Sequence, residues 1–256
     1  MAASGGIGQE FCRQLLARPD VHRLWAGARR PDTPALLELA DAHPERMERV
    51  AVDITREDDL AALADRIHAA TPRLHLVINA YGLLHDRERG LWPEKRLEDV
   101  HTEHLEAGFR VNAFAPLLVA KHLLPLLAHG ERAVFASLSA RVGSIADNRL
   151  GGWYTYRASK AAQNMITKGL AVEFSRRARA VIALALHPGT TDTELSEPFQ
   201  GGSRKASSSP RSTPWNGCSG SSMAPPARTA AASWPGTAAT SPGSRRQLGP
   251  PPALAA

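Results

Sequence analysis

The chain has 256 residues, enough for one large domain or two small ones, and its 43% hydrophobic fraction supports a globular core. It carries 31 basic against 25 acidic residues, yet the excess belongs to residues 201–256, which hold Arg204, Lys205, Arg211, Arg228, Arg245 and Arg246 and no acid. The balanced remainder argues against nucleic acid as a partner, and Cys12 and Cys218 alone exclude a disulfide framework.

The most apolar run, residues 111–128, is interrupted by Pro116, Lys121, His122 and Pro125, so no membrane span is expected. The first residues lack a basic region followed by an apolar stretch, which argues against a secretory signal. With so few cysteines, a reducing cytoplasm is the expected location.

The chain opens on Met1-Ala2-Ala3-Ser4-Gly5-Gly6-Ile7-Gly8 and runs directly into a helical pattern over residues 9–18. Glycines before a helix let the backbone approach a ligand, and the helix start offers free N–H groups to a phosphate. A flexible terminus would have the same composition. Residues 22–28 read as a buried strand ending in Arg29-Arg30, 33–43 as a helix, and 47–52 as a strand closed by Asp53. Over 56–71 a helical period sets Leu60, Leu63, Ala64 and Ile67 on one face. A third strand, 74–78, ends at Asn79-Ala80-Tyr81-Gly82, and a charged loop covers 85–96. Residues 102–127 form a long helix containing Asn112; 133–137 is a fourth strand and 139–152 a glycine-containing loop. A helix over 153–175 precedes a fifth strand, 180–186, which closes at His187-Pro188-Gly189. The histidines show no metal-ligand spacing, and His101 and His104 are placed on a solvated helix face.

Strands alternating with helices of this length predict an α/β fold, a parallel sheet covered on both faces. Ligands of such sheets bind beyond the carboxyl ends of the strands. Arg29, Asp53, Asn79, Ser139 and the Pro188-Gly189 turn all fall there, which points to a nucleotide site. The helix over 153–175 carries Tyr156-Arg157-Ala158-Ser159-Lys160. A Tyr and a Lys four residues apart share one helix face, and an ammonium beside a phenol favours the phenolate. That pair is a candidate for proton exchange near neutrality. Tyr154 has Ala158 four positions on and is expected to pack instead.

Taken together, Ser4-Gly5-Gly6-Ile7-Gly8, Asp53, Asn79-Ala80-Tyr81-Gly82, Asn112, Tyr156-x-x-x-Lys160 and Pro188-Gly189 resemble the short-chain dehydrogenase/reductase family over residues 2–200, and within it the C-factor-like branch. The resemblance implies a Rossmann-like, doubly wound sheet and hydride transfer between a nicotinamide cofactor and a carbonyl or alcohol on a small molecule. Tyr156 would be the general acid/base, and Lys160 would hold the nicotinamide ribose and lower the Tyr156 pKa. Asn112 would bend the long helix and anchor a proton-relaying water. Ser137, Ser139 and Ser144 compete for the substrate-orienting hydroxyl. Ser139 is the choice, although aligning Gly143 with the family's glycine puts Ala140 where the usual serine stands. Ser4 to Gly8 would meet the pyrophosphate and Asp53 the adenine, with Asn79, Ala80 and Gly82 beside the adenosine. Pro188, Gly189, Thr191 and Thr193 would line the carboxamide side. The Arg29-Arg30 turn, without an acid, favours NADP over NAD. A homodimer through the helices over 102–127 and 153–175 is expected.

The chain also departs from the family. Met1-Ala2 stand where a whole central strand is expected, so two neighbouring strands should show unpaired edges; a start codon placed late is one account. Residues 201–256 are rich in Pro, Gly, Ser and Ala and read as a disordered, low-complexity tail following a catalytic domain over 1–200. A shifted reading frame is one account of it, since suitable codons yield an amphipathic segment. The alternative to an active enzyme is a catalytically silent dinucleotide-binding or signalling protein of the same fold. A nucleic-acid-binding tail ranks last, since its aromatics are limited to Trp215 and Trp234.

Overall fold

The computed structural model describes residues 1–189. Thr191, Thr193 and the tail over 201–256 lie outside the described residues. The elements alternate as expected: α1 (Gly6–Leu16), β1 (Leu24–Ala28), α2 (Pro34–Ala42), β2 (Met47–Ala51), α3 (Glu57–Ala70), β3 (Leu76–Asn79), α4 (Thr102–Phe109), α5 (Ala115–Leu127), β4 (Ala133–Leu138), α6 (Tyr154–Arg177) and β5 (Val181–Leu186). Local chemistry accounts for several starts. Pro34 opens α2, where a missing N–H costs nothing. Glu57, Asp58 and Asp59 fill the first turn of α3 and oppose the positive end of its dipole.

Among the described residues all pairs of these strands are parallel, and they form two sheets, β1-β2 and β3-β4-β5. Between them lie Met1 to Ala3. The Met1 ammonium donates to the Ile78 carbonyl at 2.7 Å, Ala80 N–H to the Met1 carbonyl at 3.2 Å, and Ala3 N–H to the Gly27 carbonyl at 3.0 Å. These residues touch both sheets at the strands' carboxyl ends. Below them, among the described residues, no strand separates β1 from β3. The unpaired edges expected from the sequence are therefore present.

Helices cover both faces. One core joins Val50 and Val52 at the end of β2 to Leu60, Leu63 and Ile67 of α3, Val119 and Leu123 of α5, Phe135 of β4 and Phe174 of α6. The other face buries Cys12 and Leu16 of α1 and Leu36 of α2 against Ala26 and Met47. No helix among the described residues is long and apolar enough to cross a membrane.

The long helix expected over 102–127 is not continuous. A π-helical turn, Arg110–Phe114, separates α4 from α5. Asn112 sits in it, fully buried, with both side-chain polar atoms bonded outside the helix. Widening the helix by one residue leaves room for that insertion. The helix bearing Tyr156 is 24 residues long and keeps regular geometry.

Candidate active site

The ends of β3 and β4 form the floor. Asn79 is 1% exposed and donates through Nδ2 to Ser137 Oγ at 2.9 Å, so its side chain ties one strand to the next. Its Oδ1 has no partner among the described residues. After this strand the backbone turns at Gly82, where a Cβ would lie 3.5 Å from Lys160 Nζ and 3.7 Å from Asn112 Oδ1. The chain thus runs directly over the two polar side chains, at ordinary contact distance.

Asn112 joins three segments. Its Oδ1 accepts from Leu83 N–H at 2.7 Å, and its Nδ2 donates to the Leu83 carbonyl at 2.8 Å and to Ser159 Oγ at 3.0 Å. Ser159 in turn donates to the Tyr156 carbonyl at 3.0 Å. The Asn112 side chain is thus committed to the loop after β3 and to α6.

Tyr156 and Lys160 share a face of α6, and both are buried. Lys160 Nζ lies 5.9 Å from the centre of the Tyr156 ring. It donates at 2.9 Å to the Leu138 carbonyl at the end of β4 and at 2.9 Å to Gln163 Oε1. Burial governs both groups: it pushes the Tyr156 phenol up to about 12 and brings the Lys160 ammonium down to about 7. The phenol therefore moves opposite to the direction expected from the sequence. The amine is near, but its donors serve Leu138 and Gln163, and desolvation outweighs its field.

The three serines are each engaged. Ser137 is fully buried and accepts from Asn79, and Ser144 accepts from Asp147 N–H at 3.3 Å. Ser139, 6% exposed, donates to Asn164 Oδ1 at 2.6 Å. Ala140 caps the short turn Arg141–Gly143, and a Cβ on Gly143 would come within 2.8 Å of the Lys160 backbone. Glycine there allows the loop to press against α6. Tyr154 does not pack as expected: at 41% exposure it faces outward, since the apolar face of α6 is set by Tyr156, Leu170 and Phe174.

The start of α6 is held by Glu94, a residue no sequence pattern marked. Trp153, just ahead of the helix, has left-handed backbone (φ 50°, ψ 42°) and supplies no side-chain cap. Glu94, 2% exposed, accepts Trp153 N–H at its carbonyl (2.6 Å), and its carboxylate accepts Thr155 N–H (3.3 Å) and the Thr155 hydroxyl. A carboxylate at a helix start is favoured by the dipole and by the open N–H groups. Leu91, Trp92, Glu94, His104, Thr155 and Tyr156 enclose a cavity of about 20 Å³, room for one water. His104, expected on a solvated face, is half-buried in that wall. Gln163 was also missed, although its spacing of three from Lys160 on a helix could have revealed it.

The nucleotide-side residues lie where the strand ends put them. Helix α1 begins at Gly6 with no side-chain cap and no acid in its first turn, and Gly5 before it is exposed. A Cβ on Gly8 would collide with the Ala2 carbonyl, so this glycine serves packing. Ser4 and Ile7 are half-buried beside these glycines. Open N–H groups without a competing carboxylate fit a pyrophosphate. Arg29 is exposed at the end of β1. Partial burial would raise the Asp53 carboxyl, but hydrogen bonds from Thr55 together with Arg29 and Arg56 hold it below the usual carboxylate range. Gly189 takes φ 79° after Pro188, a conformation that suits glycine.

The sequence matches the short chain dehydrogenase family over residues 1–202. The chain belongs to the short-chain dehydrogenase/reductase family. It is 32% identical over 150 residues to the 1-hydroxy-2-glutathionyl-2-methyl-3-butene dehydrogenase of Rhodococcus sp., covering 59% of this chain and 61% of that protein. It is 37% identical over 109 residues to the C-signal of Myxococcus xanthus, covering 43% and 63%, in keeping with the C-factor-like resemblance. The alignments thus span about three-fifths of these two relatives. Among solved structures, the NADPH-bound carbonyl reductase from chicken fatty liver superposes with a TM-score of 0.72 at 25% identity, covering 84% of this chain and 82% of that one. This family member has its fold accounted for by the two sheets and their helices.

Proposed function

We propose that the chain is an NADP(H)-dependent oxidoreductase acting on the carbonyl or hydroxyl of a small molecule, with Tyr156 as proton donor. One observation carries this reading: a buried phenol and a buried amine stand on the same face of α6, at the carboxyl ends of β3 and β4, beside Gly82 and Asn112. A nicotinamide bound there supplies the hydride. The chain's own residues do the rest. The Tyr156 phenol, pushed up to about 12 by burial, is protonated at neutral pH and so holds the proton that a carbonyl oxygen would take in the direction of reduction. Lys160, brought to about 7, is part-protonated near neutrality and sits where its charge steadies a developing phenolate. Ser139 would orient the carbonyl once its hydroxyl is released from Asn164. Asn112, through Ser159, fixes the turn of α6 that carries Tyr156.

For the cofactor, the uncapped start of α1 with Ser4 to Gly8 would take the pyrophosphate, Asp53 with Asn79, Ala80 and Gly82 the adenosine side, and Pro188 and Gly189, with Thr191 and Thr193, the nicotinamide side. Exposed Arg29 favours a 2′-phosphate, and the NADPH-bound relative supports the same preference. Titrating NADPH and NADH against intrinsic fluorescence tests this: tighter NADPH binding that Arg29→Glu abolishes is expected, whereas equal binding of both refutes the preference. A cytoplasmic catalytic domain over residues 1–200 is the matching organisation, and exposed Phe114 in the π-helical turn and Leu117 on α5, with Met165 and Val172 on α6, offer the apolar faces for a dimer.

A second reading, a silent dinucleotide-binding protein of this fold, has one observation in its favour: the Ser139 hydroxyl is spent on Asn164. It predicts cofactor binding without turnover.

A further inference from the structure

At the opposite, amino ends of β3 and β4, two loops bring together three side chains that sequence spacing did not connect. His75 directly precedes β3, and His129 and Glu131 lie in the turn before β4. Their metal-ligating atoms all fall within 4.8 Å of one another. His75 Nε2 is 3.2 Å from Glu131 Oε2, and the two imidazole rings are 4.6 Å apart. Two ligand atoms on one tetrahedral Zn²⁺, with bonds of about 2.0–2.1 Å, stand about 3.3 Å apart. The His75–Glu131 pair already has that spacing.

The surroundings pre-set the ligands. His129 Nε2 is 3.0 Å from the Leu74 carbonyl, an acceptor, so the proton belongs on Nε2 and the lone pair on Nδ1. That Nδ1 faces Glu131, whose N–H lies 3.3 Å away, a long contact that a cation can replace. A carbonyl that fixes the tautomer of a histidine is the usual outer partner of a metal ligand. Arg73 holds Glu131 Oε1, leaving Oε2 to the site. The backbone is fixed as well: Leu74 N–H donates to the Leu126 carbonyl at 2.9 Å and Val134 N–H to the His75 carbonyl at 2.9 Å.

We propose that His75, His129 and Glu131 form a site for a borderline-soft divalent cation, Zn²⁺ foremost, that fastens the loop entering β3 to the loop entering β4. Two imidazoles and one carboxylate select Zn²⁺ or its first-row neighbours over Mg²⁺ and Ca²⁺, which prefer oxygen. His75 and Glu131 are exposed, so water completes the shell. The Arg73 guanidinium opposes a second positive charge and so weakens the site's hold on the cation. The site lies at the strand ends away from Asn79 and Ser137, and it is independent of the proposed redox reaction.

The test uses the full chain, freed of metal by chelator and titrated with Zn²⁺ by calorimetry, with Co²⁺ as an optical probe. The expected result is one saturable equivalent, visible Co²⁺ bands of a tetrahedral site, and binding weakened about tenfold or more in His75→Ala and in His129→Ala. His75→Gln and His129→Gln, which retain a polar side chain at each position, give the same reading if an alanine variant fails to fold. Exposed His101→Gln leaves binding unchanged. Arg73→Gln tightens it. No saturable binding, or binding that survives both glutamine substitutions, overturns the proposal.

Discussion

The carboxylate of Glu94 receives both the N–H and the hydroxyl of Thr155, across 61 residues of sequence, and so binds the loop after β3 to the first turn of α6. That turn holds Tyr156 in place. The helix cannot cap itself, because Trp153 ahead of it is left-handed and donates its own N–H to the Glu94 carbonyl. A buried carboxylate with these partners makes strong hydrogen bonds, and leaving it without them is costly. Glu94→Gln and Thr155→Val are each expected to destabilise the fold by about 1–3 kcal/mol. The pair should couple by about 1 kcal/mol or more in a double-mutant cycle read by urea unfolding. Additive losses would show that the clamp is not one unit.

Gly143 tests how tightly the loop after β4 must press on α6. A Cβ at this position would stand 2.8 Å from the Lys160 carbonyl carbon and 3.0 Å from its Cβ, contacts with backbone that no rotamer relieves. Gly143→Ala is expected to cost about 1–3 kcal/mol by overpacking and to shift Lys160 away from Leu138. A variant as stable as the parent, measured by chemical denaturation, would mean that the loop is free to move back.

Lys160 makes stability depend on pH with a definite sign. Burial lowers its folded pKa from 10.5 to about 7, so between those values the unfolded chain binds more protons than the folded one. Stability from this group therefore rises as pH rises from about 7 towards 10.5, and it is lowest, and constant, below 7. The Met1 ammonium, lowered by burial, works in the same sense. Tyr156, raised from 10.0 to about 12, reverses the trend only above its unfolded value. Urea midpoints from pH 7 to 9.5 should increase in the parent and increase less in Lys160→Met. Parallel profiles would show that the amine is not desolvated.

The facing edges of β1 and β3 predict a gain from added pairing. Met1 to Ala3 already bond to Gly27, Ile78 and Ala80 as a strand end would. An extended, β-branched segment of about five residues fused ahead of Met1 should continue between the edges and remove the buried ammonium. A higher melting temperature, with protection of the Trp25 and Ile78 amides from hydrogen exchange, is expected. An unchanged melting temperature would mean that the edges are closed by side chains.

Much of this architecture was legible in the chain. The sequence pattern marked β1 to β5 and the helices α1, α2, α3 and α6 within a few residues, helped by apolar faces such as Leu60, Leu63 and Ile67 on α3 and Leu170 and Phe174 on α6. The partition of the long helix was not legible, since a π turn at Asn112 depends on the Leu83 backbone arriving from another segment. Glu94 was hidden for the same reason: a glutamate in a charged loop looks solvated until its partner, Thr155, is placed beside it. Tyr154 could not be told from Tyr156 by spacing alone in terms of burial. The direction of the Tyr156 shift depended on desolvation, which the pairing of residues on a helix does not report. His75, His129 and Glu131 come from two loops, and only the parallel register of β3 and β4 brings them together.

The most direct test is turnover by Tyr156→Phe beside the parent, with NADPH and a small aromatic aldehyde, after cofactor binding has been shown equal by fluorescence. Losing the phenolic proton should lower kcat by about 10²–10⁴-fold while NADPH binding stays within about twofold. Equal turnover in the two proteins would contradict Tyr156 as proton donor, and cofactor binding without turnover in either would identify the silent binding protein instead.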